Sequence, residues 1–185
     1  MNQEFHEGNM MWIVLSVISF ISAIIFAFVG PNLLHYMFFS YGDIIVIQTP
    51  VISNILFGIF GVLLSLFFFM MYKIGKGYKI TGFVVLIVSI PILVLSVTNY
   101  SVLREEKILH NSLFSVTSTE YQWSDIESAV LLRQNDDFDY ETLVLNMNDG
   151  EDLPFLRNGY VISAFPKIDG MLQANGVIFT SQERE

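Results

Sequence analysis

The chain has 185 residues, 53% of them hydrophobic, with 9 basic against 18 acidic side chains for a net charge of −9, and it has no cysteine. The missing thiol excludes disulfides, thiolate nucleophiles and cysteine-ligated zinc. The acidic balance excludes the basic surface that nucleic acid and anionic lipid head groups require.

In chain order, the first feature is a set of three apolar runs with no charged side chain inside them: Met10–Gly30, Val51–Met71 and Ile80–Val97. Each approaches the length of about 20 residues that a helix needs to cross a bilayer core. None has the polar face that a helix of a water-soluble fold would show. Residues 1–100 therefore read as a three-span transmembrane region. The leading tail carries Glu4 and Glu7 but no lysine or arginine, and no small-x-small site follows the first run. That run is expected to be an uncleaved anchor rather than a signal peptide.

Within the spans, Ser16, Ser19 and Ser22, with Ala23 and Ala27, make the first helix small along one stripe, and Gly58, Gly61 and Ser65 do so in the second. Small residues allow close helix approach where lipid supplies no hydrophobic drive, so these positions are expected to pack the helices together. Pro91 should kink the third span, with Ser89 placed to satisfy part of the opening. The spans hold no ionisable group, whereas intramembrane charges mark ion and proton pathways. A transporter or channel is therefore not expected.

The loop Pro31–Pro50 is too apolar for a solvated connection at Leu33, Leu34 and Tyr36–Phe39, and too polar for a span at His35, Ser40 and Asp43. A short helix lying on the bilayer, followed by an extended Ile44–Gln48, fits it; a lip for a membrane partner is the other reading. The hairpin Tyr72–Lys79 carries three lysines, which favours the cytoplasm for it and the outside for the tail. Arg104 and Lys107 count the other way.

Charge and periodicity both change in the tail. Residues 1–101 are balanced, whereas residues 102–185 hold 6 basic and 15 acidic side chains. Apolar runs become short. Val102–Leu109 and Leu113–Val116 suggest a pair joined at His110–Ser112, and Tyr121-Gln122-Trp123 reads as a short strand. Ile126–Arg133 and Tyr140–Met147 read as longer strands, separated by a polar turn at Gln134–Asp139. Asn148-Asp149-Gly150 is a hairpin signal, with Leu153–Leu156 returning as an edge strand because of Pro154. Phe165, Ile168, Met171 and Leu172 share a helical face, with Pro166 in a first turn and Gly176 at the stop. Val177-Ile178-Phe179 after the helix is more apolar than a spare tail needs to be. The whole is an α+β membrane protein: three transmembrane helices, then a meander of about six strands over residues 101–185 closed by a C-terminal helix.

The segment Tyr121-Gln122-Trp123-Ser124-Asp125-Ile126, followed by strands, an Asp-Gly hairpin and a helix ending at Asn175-Gly176, resembles bacterial pleckstrin-homology-like (PH-like) domains. The resemblance covers about the last 80 residues. It implies a β-rich binding module behind membrane spans, on the cytoplasmic side, against the lysine count. Phosphoinositide-binding relatives use a basic pocket where this chain has Arg104-Glu105-Glu106-Lys107, so head-group binding is not implied. Tyr121, Trp123 and Asp125 are the motif residues, in an interaction or structural role; Trp123 is expected as a core or half-buried sheet residue and Asp125 as a turn cap, with ligand contact by either the lesser reading.

No catalytic set is expected. His6, His35 and His110 lack metal-ligand spacing, and no nucleophile elbow or phosphate loop occurs. Asp136, Asp137, Asp139 and Glu141 lack the glycine and distant glutamate of a calcium loop. Asn99-Tyr100-Ser101 fits a glycosylation sequon but abuts the third span. The function expected is a non-enzymatic, membrane-anchored interaction protein without cofactor or metal, such as a regulator or immunity-type protein of a bacterial envelope. Its partners would be the bilayer and a protein or cationic peptide, not nucleic acid. The alternative is an accessory subunit of a larger transport or secretion complex, docked through the serine and glycine faces.

Overall fold

The computed structural model describes residues 7–115, 117–134 and 140–183, with side chains from residue 10 onward. The amino tail with His6, the polar turn over 135–139 and the acidic run at Asp136, Asp137 and Asp139 lie outside the described residues. The chain forms two compact units, one made of Met1–His35 with Thr49–Asn99, the other of Tyr36–Gln48 with Tyr100–Glu185.

The first unit is helical. Helix α1 (Glu7–Phe39), α2 (Val51–Tyr72) and α3 (Lys76–Thr98) are each long and apolar enough to cross a membrane. Their burial is inverted relative to a water-soluble bundle. Large apolar side chains such as Ile25, Phe28, Ile55 and Ile87 are exposed, while Ser16, Ala23, Ser53, Ser65, Ser89 and Ser96 are buried. Such an outer surface suits hydrocarbon, and such an interior suits close packing of backbones.

Helix α1 does not stop at Gly30-Pro31, as the sequence suggested. It continues to Phe39, with Pro31 inside it, so the short surface helix expected in the first loop is its last turns. Proline there removes one backbone donor, towards Ala27. Breaking the helix would expose several backbone groups, which is worse in an apolar medium. Gly30 meets the second helix closely, since a Cβ on it would lie 2.7 Å from the Phe57 ring. The continuation also places His35 within α1, so a titratable side chain does lie inside the first long helix. In α3, Ser89 donates to Leu86 O at 2.7 Å. The carbonyl that Pro91 frees is that of Ile87, so the expected repair is made one residue away. Helix α3 also starts four residues before the expected Ile80, which shortens the hairpin to residues 73–75, closed by Gly75 at φ +133°.

Among the described residues, the second unit holds two four-stranded sheets and a helix. One sheet has β1 (Ile44–Gln48), β2 (Tyr100–Arg104), β3 (Ile108–Asn111) and β4 (Thr119–Tyr121), in that order and antiparallel throughout. The other orders β7 (Asp152–Leu156), β6 (Thr142–Met147), β5 (Ile126–Leu132) and β8 (Phe179–Gln182), with β8 parallel to β5. Helix α4 (Gly159–Ala174) precedes β8. One apolar core joins Val46, Leu103 and Ile108 of the first sheet, Leu143, Leu145 and Phe155 of the second, and Val161, Ile168 and Leu172 of α4.

The expected hairpin turn at His110–Ser112 is misplaced. The charged triplet Glu105-Glu106-Lys107 makes the turn, and Leu113 lies in a loop. Tyr121-Gln122-Trp123 is not a strand either; β4 ends at Tyr121, and Trp123–Asp125 form a 3-10 turn. The hairpin at Asn148–Gly150 stands as read, with Gly150 at φ +85°, and Pro154 lies on the edge strand β7. Helix α4 starts at Gly159 rather than near Pro166. Asn158 caps it, its Oδ1 accepting from Tyr160 N and Val161 N at 3.0 and 3.1 Å. Among the described residues there are eight strands rather than about six, because Ile44–Gln48 pairs beside β2 and Phe179–Gln182 pairs in parallel beside β5. The α2–α3 hairpin is thus inserted between two hydrogen-bonded strands, β1 and β2.

Candidate functional site

Register pairing lines up one polar row across the first sheet: Gln48 opposite Ser101, Ser101 opposite His110, and His110 opposite Thr119. Next to it runs the apolar row Val46, Leu103, Ile108 and Tyr121, because residues two apart share a face. The core therefore ends at a polar seam.

The β6–β7 turn closes that seam. Ser101 Oγ lies 2.9 Å from His110 Nδ1, and His110 Nε2 lies 3.9 Å from Glu151 Oε1. Tyr121 donates its hydroxyl to Asp149 Oδ2 at 3.0 Å. Asn148 N donates to Asp125 O at 2.8 Å, which fixes the turn against the Trp123–Asp125 segment. Burial lowers the His110 pKa below its ordinary value, and the nearby Glu151 carboxylate opposes this in part. Burial first, then the hydrogen bond to Asp149 and the surrounding carboxylates, push the Tyr121 hydroxyl up to about 12. Gln48 Oε1 is buried at the end of the row with no hydrogen-bond partner.

A serine, a histidine and a carboxylate thus follow one another, but Ser101 is buried and held between β1 and β3, where its hydroxyl is not presented to a substrate. The His110–Glu151 separation is also longer than a hydrogen bond. The seam can exchange a proton at His110; it is not arranged for nucleophilic attack. Among the described residues, no group of three or more His, Asp or Glu could hold a metal ion. Glu141, the described member of the acidic run, pairs with Arg157.

The motif residues divide between the seam and the core. Tyr121 contributes its ring to the core and its hydroxyl to the seam. Trp123 is buried, and its Nε1 donates to Arg104 O at 2.9 Å. Asp125 Oδ2 accepts from Gln122 N at 2.7 Å, which is the turn-capping role read from the sequence. In the helical unit, a Cβ on Gly61 would lie 2.5 Å from Ala23 Cβ, and one on Gly58 3.0 Å from Ala27 Cβ. Ser16 Oγ donates to Ser65 O, and Ser65 Oγ to Ser16 O, both at 2.9 Å. The small faces of α1 and α2 therefore occupy each other.

Two polar clusters escaped the sequence reading. The first is the seam, whose pairing depends on a turn placed five residues before where it was expected. The second surrounds His35 in the helical unit. His35 Nε2 lies 2.7 Å from Val97 O, and Nδ1 lies 2.7 Å from Thr49 Oγ1. A carbonyl only accepts, so Nε2 carries the hydrogen; in the neutral ring Nδ1 then accepts from Thr49. Ser53 Oγ donates to Asn99 O at 3.2 Å nearby in sequence. These bonds tie α1 to the start of α2 and the end of α3. No family model, no curated protein and no solved structure matches this chain.

Proposed function

We propose that the protein is a membrane-anchored binding protein of a bacterial envelope, whose second unit is a PH-like module split by a transmembrane hairpin. The observation that carries this reading is the insertion of α2–α3 between β1 and β2, within an order of four strands, three strands and a closing helix. Strands that pair must lie on one side of a bilayer, and two intervening spans satisfy that condition. With α1 also spanning, the binding module and the Lys73–Lys79 hairpin fall on opposite faces. The lysines favour the cytoplasm for the hairpin, which puts the module outside. The module's excess of acidic residues suits a cationic peptide or a basic protein surface. Docking of a second membrane protein on the small faces has less room, since Gly58, Gly61 and Ser65 already face α1.

The test is recovery of partners with the full chain as bait from a detergent extract, alongside the sensitivity of a deletion strain to cationic membrane-active peptides. A partner lost at high salt, or a change in sensitivity, is the expected result. No enriched partner together with unchanged sensitivity would contradict the reading.

A further inference from the structure

The helical unit carries its charge in one place. From Met10 to His35 and from Thr49 to Asn99 the chain has no acidic side chain, and its basic ones are Lys73, Lys76 and Lys79. All three are exposed around the α2–α3 turn. The acidic excess that argues against anionic head groups lies in residues 102–185, outside this unit. Lys76 and Lys79 occupy the start of α3, three residues apart and so on one face. Cations there meet the positive end of the helix dipole and each other. The first turn of α3 holds no acidic residue, and Gly75 before it supplies no side-chain cap. Among the described residues, no carboxylate pairs with any of the three lysines. The turn is therefore a local concentration of positive charge that an anion would relieve.

The surroundings select which anion. Lys73 Nζ lies 5.1 Å from the centroid of the Phe69 ring and 5.9 Å from that of Tyr72. Its ammonium is folded back along the end of α2 and held beside aromatic faces. Trp12 of α1 stacks on Phe68, with 6.0 Å between ring centroids, and Tyr78 is exposed in the first turn of α3. Aromatic rings gather at the boundary between hydrocarbon and water, and lysines at that level attract anionic head groups. Ile74 is 84% exposed within the turn, and Ile80 is exposed beside Lys79. A free phosphate would leave both side chains in water, whereas a lipid covers them as it meets the charge.

We propose that Lys73, Lys76 and Lys79 bind the phosphate of an anionic lipid head group at the α2–α3 turn. This rests on the reading that α2 and α3 span the bilayer. The site enriches anionic over zwitterionic lipid beside the turn and ties the hairpin to a leaflet that carries negative charge.

The chain has no cysteine, so single labels are clean. A fluorophore on Ile74→Cys in the full chain would report the lipid beside the turn, in phosphatidylcholine vesicles that contain a minor share of brominated lipid. Both leaflets have the same composition, so the direction of insertion does not matter. Brominated phosphatidylglycerol should quench this label several-fold more than brominated phosphatidylcholine. Lys73→Gln, Lys76→Gln and Lys79→Gln together should make the two equal. Equal quenching with the lysines in place overturns the site, and so does an excess that survives their replacement. An excess removed by inorganic phosphate, but not by chloride of equal ionic strength, also overturns it, because the lysines then take a free anion. So does an excess that appears only with Glu4→Gln and Glu7→Gln, because the lysines then serve the amino tail. A fluorophore on Val88→Cys, exposed within α3, should be quenched alike by both lipids. If neither quenches it, the spanning reading fails, and this inference with it.

Discussion

Gly61 shows how narrow the tolerance of the helical unit is. Its α-carbon faces Ala23 so closely that one added methyl meets a methyl at 2.5 Å. Gly61→Ala should destabilise the full chain in detergent by about 1–3 kcal/mol, the usual range for overpacking, and Ala23→Gly in the same chain should recover part of the loss in thermal midpoint. Full stability of Gly61→Ala would show that α1 and α2 do not pack there. The small stripe was legible in the sequence, because Gly61 and Ser65 lie four residues apart. Its partner was not, because the crossed serine bonds between Ser16 and Ser65 depend on a tertiary register. His110 makes a second residue-scale prediction. It is faced by Ser101 and Thr119 across the sheet, by Gln48 further along the row, and by Glu151 of the β6–β7 turn. Its folded pKa lies below the ordinary 6.5, so the unfolded chain binds the proton more readily. The contribution to stability is therefore complete above that value and is lost as pH falls below it. The thermal midpoint of the wild type should drop between about pH 7 and pH 5 by more than that of His110→Gln. Parallel pH profiles would refute the assignment.

At the scale of elements, β1 decides whether the second unit closes. Its Val46 is buried in the core, opposite Leu103. Val46→Asp places an unpaired carboxylate there, at a cost of about 3–5 kcal/mol. Near-ultraviolet dichroism from the buried Trp123 should collapse while most helical signal remains; retention of both would mean that β1 is dispensable. Ile44–Gln48 was readable as extended. Its pairing with β2 was not, because two whole helices separate the partners and no local signal spans them. The Asn148-Asp149-Gly150 turn was legible because Gly150 needs a positive φ, and Pro154 was legible because proline suits an edge. The β2–β3 turn was missed because the charged run Arg104–Lys107, set between the apolar pairs Val102-Leu103 and Ile108-Leu109, has none of the glycine, proline or asparagine that marks a turn. The end of α1 was missed because Gly30-Pro31 is a stop signal in water and a weaker one where a broken helix leaves backbone groups unsatisfied. The seam followed the misplaced turn: with Glu105–Lys107 as the turn, Ser101 falls opposite His110 at once.

At the scale of the whole molecule, the chain of the β-rich unit leaves after one strand, passes through two apolar helices and returns to pair with that strand. The central claim is that this detour crosses the membrane twice. Membrane-impermeant thiol labelling of single-cysteine chains in intact cells tests it directly, using Tyr41→Cys before β1, Ile74→Cys in the α2–α3 turn and Glu106→Cys in the β2–β3 turn, all exposed positions. Tyr41 and Glu106 should label together from outside, with Ile74 labelled after permeabilisation. Labelling of Ile74 on the same side as Glu106, or of Tyr41 and Glu106 on opposite sides, would contradict the account.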